Sequence, residues 1–225
     1  MNFRNLILGI VATLGVTSLN SCGTANPGKA GMAAYNIGEY DDAAIQFQKA
    51  YRKEKDQNKK TEYEYYMADA LLRIGRYTQS EIRFRNLVRK NYPGKDVLIN
   101  YADVLRTNGK YEEAIKIYTQ YLDSVPGDKR ALNGIESCKV TPQWESTPTR
   151  FKVSVEQPIN SRYADFGPSY AGSLGNKIIF TSTRDDATGK RKSAITGQRF
   201  ADLYVTNFDV QKQRWDKPVR IDDQS

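Results

Sequence analysis

The sequence predicts an α+β chain of two units: an all-α solenoid of paired helices over residues 29–140, then an all-β unit over 151–225, joined by a linker at 141–150. Three observations carry this. The stretch GKYEEAIKIY from Gly109 repeats, with substitutions, GEYDDAAIQF from Gly38 and GRYTQSEIRF from Gly75, so the glycines lie 37 and 34 residues apart; a fixed period near 34 marks stacked helix pairs. After Val140 the segment TPQWESTPTR, with two prolines and several hydroxyl residues, breaks the helical pattern. Beyond it, short runs rich in β-branched and aromatic residues alternate with Gly, Asp and Asn turns.

The first element is an address. One positive charge, Arg4, precedes an almost wholly apolar run of 14 residues from Leu6 to Leu19, closed by small residues before Cys22. That is the pattern of a secretory signal, predicted over 1–21. The run is short of the roughly 20 residues a spanning helix needs, so a permanent transmembrane anchor is disfavoured. The closing LNSC resembles a bacterial lipobox, which implies cleavage before Cys22, acylation of its thiol and amine, and a lipidated tether over 22–28. The alternative is an unmodified Cys22 beside an ordinary cleavage site. Several acyl chains on one residue give stable membrane attachment. GTANPGK, after Cys22, has no acidic cluster like the surface-export tag of some lipoproteins, which favours a periplasm-facing chain.

Each repeated unit starts at a glycine suited to the left-handed conformation that ends a helix, and a tyrosine two residues on covers the turn. Small residues (Ala43, Ser80, Ala114) stand four positions before large aromatics (Phe47, Phe84, Tyr118). Positions i and i+4 share a helix face, so the small residue admits the neighbouring helix and the aromatic fills the space beside it. These residues resemble the tetratricopeptide repeat family. The family's first-helix small residue is matched by Gly31, Ala68 and Ala102, and its closing proline by Pro126. Its later alanine is kept as Ala50 but reads Leu87 and Tyr121 in the other units. The segment NPGKAG is a poor start for a long first helix. Residues 129–140 read as an amphipathic helix capping the stack, as repeat arrays require. The resemblance implies that ligands bind a concave face of first helices. It places Tyr35, Tyr65, Asp69, Arg73, Asp103 and Arg106 in or beside that groove, where aromatic and charged groups suit an extended peptide or a partner helix. The competing reading is that these side chains are packed or solvated.

Composition removes other classes. Histidine is absent, which takes away the commonest general acid–base side chain and metal ligand; no catalytic residue, cofactor site or metal site is predicted, and the chain reads as non-enzymatic. Two cysteines without histidine are too few for zinc. Cys138 reads as a small buried residue on a helix. The net charge of +8 is spread over both units, so nucleic acid is not an expected partner.

In the second unit, KIIFTST (177–183), DLYVTNFDV (202–210) and WDKPVRI (215–221) read as strands, with a further strand in SYAGSLG. The stretch DDATGKRKS lacks the alternating oxygens of a calcium loop and the upstream glycine of a phosphate loop. With Lys190, Arg191, Lys192 and Arg199 it reads as a solvated basic loop, contact with an anionic surface being the alternative. The order DFGPSY, FTSTR, DLYV and RWDKP resembles a blade of a WD40-like, PD40-type β-propeller. A lone blade has open faces that propellers protect by radial repetition, so this propeller is expected to be incomplete here, completed by chain past Ser225 or by another chain.

Lipobox, repeats and blade in that order resemble the N-terminal part of PorE-type outer-membrane lipoproteins of the type IX secretion system, which end in an OmpA-like domain. The resemblance implies a scaffold on the periplasmic face of the outer membrane, anchored in the membrane through lipidated Cys22. Its partners would be other secretion-system envelope proteins, with peptidoglycan bound only through a domain outside these residues. The alternative function is an envelope module that binds peptide or glycan ligands unrelated to secretion.

Overall fold

The computed structural model describes residues 26–224 apart from 95, 148 and 188–190. The signal peptide, Cys22 and Lys190 lie outside the described residues. Seven helices come first: α1 (Pro27–Asn36), α2 (Tyr40–Lys53), α3 (Gln57–Arg73), α4 (Tyr77–Arg89), α5 (Val97–Thr107), α6 (Tyr111–Ser124) and α7 (Lys129–Ser146). The three repeat glycines separate α1 from α2, α3 from α4 and α5 from α6, with φ of 81°, 74° and 75°. Each closes its helix in the same way: the amide after the glycine donates back to Ala34, Leu71 or Leu105, all at 2.9 Å. These bonds satisfy helix-end carbonyls that would otherwise lack donors.

The recurrent small and large residues form the core. Ala43, Ser80, Ala114, Phe47, Phe84 and Tyr118 are all fully buried, as are Ala68 and Ala102. A Cβ on Gly31 would lie 2.8 Å from the Phe47 ring, so the first unit needs glycine where the others accept alanine. Ser80 Oγ donates to the Ala68 carbonyl at 2.8 Å, which offsets the cost of burying its hydroxyl. Helix α1 is short but well started, with Pro27 in its first turn and Asn26 Oδ1 accepting from Gly28 N at 2.9 Å.

One helix boundary differs from expectation. Helix α7 does cap the array, packing on α5 and α6, but it continues six residues past Val140 into the expected linker. Proline is disfavoured inside a helix because it lacks an N–H; here Pro142 sits near the end. The extension is tied back by Tyr111 Oη donating to Glu145 Oε1 at 3.1 Å.

Five strands follow: β1 (Asp165–Ala171), β2 (Lys177–Ser182), β3 (Asp202–Asp209), β4 (Arg214–Trp215) and β5 (Val219–Arg220). They form one antiparallel sheet in which β1 pairs β2, β2 pairs β3, and both β4 and β5 pair β3. The first strand begins at Asp165, earlier than SYAGSLG suggested, and its register shifts between Phe166 and Ser169, where Gly167 takes a φ of 63° beside Pro168. Residues 172–175 are turn. The expected single strand WDKPVRI is split in two because Pro218 has no N–H for the ladder and the Asp216 carbonyl is taken by Thr206 Oγ1 at 2.6 Å. Among the described residues there is one such sheet and no closed propeller.

Candidate partner-binding groove

The curvature of the array follows from which helices touch. The backbone of α1 approaches that of α3, α3 that of α5, and α5 that of α7, whereas the backbones of α2, α4 and α6 stay apart. On a curved stack the layer whose backbones lie closer together is the inner one, so α1, α3, α5 and α7 line the concave side.

The six residues expected at this face fall into two clusters with Tyr65 between them. In the first, Asp69 is buried on α3. It accepts from Tyr35 Oη of α1 at 2.5 Å and from Arg73 Nε at 2.6 Å. The Arg73 guanidinium also lies 5.0 Å over the Tyr40 ring, a favourable cation–π geometry. In the second, Asp103 of α5 accepts from Tyr118 Oη of α6 and from Arg130 Nε of α7, the latter at 2.8 Å. Arg106 Nε donates to the same Tyr118 hydroxyl at 3.3 Å. Tyr65 stacks on Tyr92 with ring centroids 5.4 Å apart. Asp69 and Asp103 stand one period apart: Asp69 ties unit two to unit one through Tyr35, and Asp103 ties unit three to the capping helix through Arg130.

The Tyr35 and Tyr118 phenols are locked as donors. Burial and the bond to Asp69 hold Tyr35 well above the usual phenol range, burial and the bond to Asp103 do the same for Tyr118, and burial with the nearby Asp69 and Asp96 charges pushes Tyr65 up to about 12. What the arrangement offers is recognition. Arg73 and Arg130 keep about half of their side chains exposed, while Glu62 on α3, Asp96 just before α5 and Thr107 on α5 are exposed.

Sequence reasoning missed several members of this network. Arg130 and Asn100, joined at 2.8 Å, were not singled out. The polar role of Tyr118 was legible, because unit three carries tyrosine where the others carry Phe47 and Phe84, and a buried hydroxyl requires a partner. Two buried glutamates also tie helices: within unit two, Glu64 accepts from Asn86 Nδ2 at 3.1 Å and Lys90 Nζ at 2.7 Å, and across to unit three, Glu81 accepts from Asn108 Nδ2 at 2.8 Å and Lys110 Nζ at 2.7 Å. Burial works against the charge of Glu81, but the bonds from Lys110 and Asn108 outweigh it and hold the carboxyl below the usual range. Cys138 is buried and unpaired, and burial raises its thiol, which makes it inert.

Among the described residues no group of acidic or cysteine side chains is arranged to hold a metal, and no helix is long and apolar enough to cross a membrane. Comparison with curated proteins returns no significant match. Residues 65–129 match the tetratricopeptide repeat family; among the described residues an all-α region of seven helices that contains this match is followed by a five-stranded antiparallel sheet.

Proposed function

We propose that this chain is a non-enzymatic adaptor of the cell envelope, held by acylated Cys22 at the periplasmic face of the outer membrane. In this reading its concave repeat face grips an envelope protein of the type IX secretion machinery. The observation that carries the binding role is the inner layer of helices, which displays Tyr65 and Arg73 from α3 and Arg130 from α7. Rigid aromatics and arginines are the side chains that dominate protein interfaces. The envelope address rests on the 14-residue apolar run and LNSC.

The sheet is taken as one blade of a WD40-like propeller. In support, it carries large apolar groups on both faces, with Phe166, Leu203 and Val219 on one and Tyr170, Phe208 and Trp215 on the other; Phe166, Tyr170, Leu203 and Val219 are exposed. A blade is covered on both sides by its neighbours, whereas a sheet exposed to water on one side carries polar residues there.

The test of the anchor is mass spectrometry of the native N-terminus, with fractionation of Cys22→Ala. The reading expects Cys22 as the acylated first residue and release of the variant from the membrane. An intact Met1, or an unmodified Cys22 in a soluble periplasmic form, contradicts it.

A further inference from the structure

The loop between β2 and β3 does not stand free in solvent. Its tip reaches back to the first repeat, where the Ala194 carbonyl accepts from the Asp41 and Asp42 amides at 3.0 and 3.2 Å, and the Ile195 carbonyl accepts from Asp41 N at 3.2 Å. Asp41 and Asp42 lie in the first turn of α2, whose amides have no intrahelical acceptor. Helix α2 has no side-chain cap, unlike α1, α3 and α7, which use Asn26, Asp56 and Asp128. Helices α4 and α6 also lack a side-chain cap, yet among the described residues no loop carbonyl meets their first turns. The contact is therefore specific to one unit.

Two further observations show a fitted surface. The Asp41 carboxylate is buried and lies 2.6 Å from Arg76 Nη2 of the next unit. A Cβ on Gly197 would stand 2.4 Å from its Cγ, so the chain lies against the carboxylate with no room for a side chain. The tip is also shaped in advance: Ser193 N donates to the Gln198 carbonyl and Gly197 N to the Ser193 carbonyl, both at 2.8 Å, and Ser193 Oγ accepts from Ile195 N at 3.2 Å.

We propose that residues 193–197 form a clasp that caps α2 with backbone carbonyls and seats Gly197 on the buried Asp41–Arg76 pair, fixing the sheet to the first repeat so that groove and sheet move as one body. The clasp does not depend on what the groove binds.

Amide hydrogen exchange of the full chain, resolved by residue, tests it. After correction for intrinsic rates, Asp41 and Asp42 should exchange at least about ten-fold more slowly than Glu112 and Glu113, the same positions of uncapped α6. Gly197→Ala should abolish that difference while Phe47 stays protected. Gly167→Ala is the control: it places a side chain at a similar positive φ of 63° but in open space, and should leave the Asp41 and Asp42 protection intact. Equal rates at the two helix starts in the unaltered chain overturn the clasp, whatever the variants do, and so does protection that survives Gly197→Ala in a folded protein.

Discussion

Asp165 Oδ1 lies 2.9 Å from Arg184 Nη2, which joins the first residue of β1 to the residue two past the end of β2. Both side chains are nearly buried. Ser182 Oγ adds a bond to Asp165 at 2.6 Å, and the Arg184 guanidinium lies 4.9 Å over the Tyr204 ring. The pair explains why DFGP and FTSTR occur together in the sequence: the aspartate of one is the counter-ion of the arginine of the other.

Stability of the sheet should therefore fall in acid. Burial opposes the Asp165 charge, but the bonds from Ser182, Arg184 and Ser161 outweigh it and place its pKa at about 2, below the ordinary 3.8. A carboxyl whose folded value is depressed stabilises above its unfolded value and loses that contribution as pH falls through the folded one. About 2 kcal/mol should thus be present at pH 5 and vanish between pH about 4 and 2. Urea unfolding followed by Trp215 fluorescence, in a Trp144→Phe background, measures it. Asp165→Asn should be the weaker sheet at pH 5 and nearly equal to the unaltered one at pH 2.

The helical array should fold without the sheet, because its units and α7 bury a continuous core. Residues 26–146 alone should give a cooperative helical melt by circular dichroism. Within that fragment Ala114→Arg, which forces a charge into a fully buried position, should cost several kcal/mol. A random-coil spectrum for the unaltered fragment contradicts the assignment.

Lys110→Met should destabilise the array by about 1–3 kcal/mol, since it removes a cation from nearly buried Glu81. Acid should shrink the deficit, because a protonated Glu81 no longer needs the lysine. Paired denaturation curves at pH 7 and pH 4 test this, and equal deficits at both would contradict it.

The repeat could be read because its signals are local: a glycine at positive φ, a small residue and an aromatic at i and i+4, all within one unit. The strands of the sheet were legible for the same reason, and their ends were not, since Pro218 and the bulge near Gly167 act through pairing with distant residues. The groove positions followed from the period, but their bonding did not. Asp69 and Asp103 each take partners from other helices, 34 and 27 residues away in the cases of Tyr35 and Arg130. One long-range signal was present. Units two and three place a cation, Arg76 or Lys110, right after the turn glycine, where it meets Asp41 or Glu81 of the preceding unit; unit one has Glu39 there. The clasp left no trace in the sequence, because it is made of backbone carbonyls and a glycine.

The central claim is that the inner layer of first helices is the partner surface. Site-specific photocrosslinking in intact envelopes tests it most directly, with the probe at exposed Thr107 on α5 or at exposed Lys116 on α6. The account predicts one defined envelope-protein adduct from Thr107 and none from Lys116. Tyr65→Ala with Arg73→Ala should weaken capture of that protein by roughly 2 kcal/mol with helix content retained, and Lys192→Ala on the β2–β3 loop should change it little. An adduct from Lys116 alone, or normal capture by the groove double variant alongside failure of the loop variant, would contradict it.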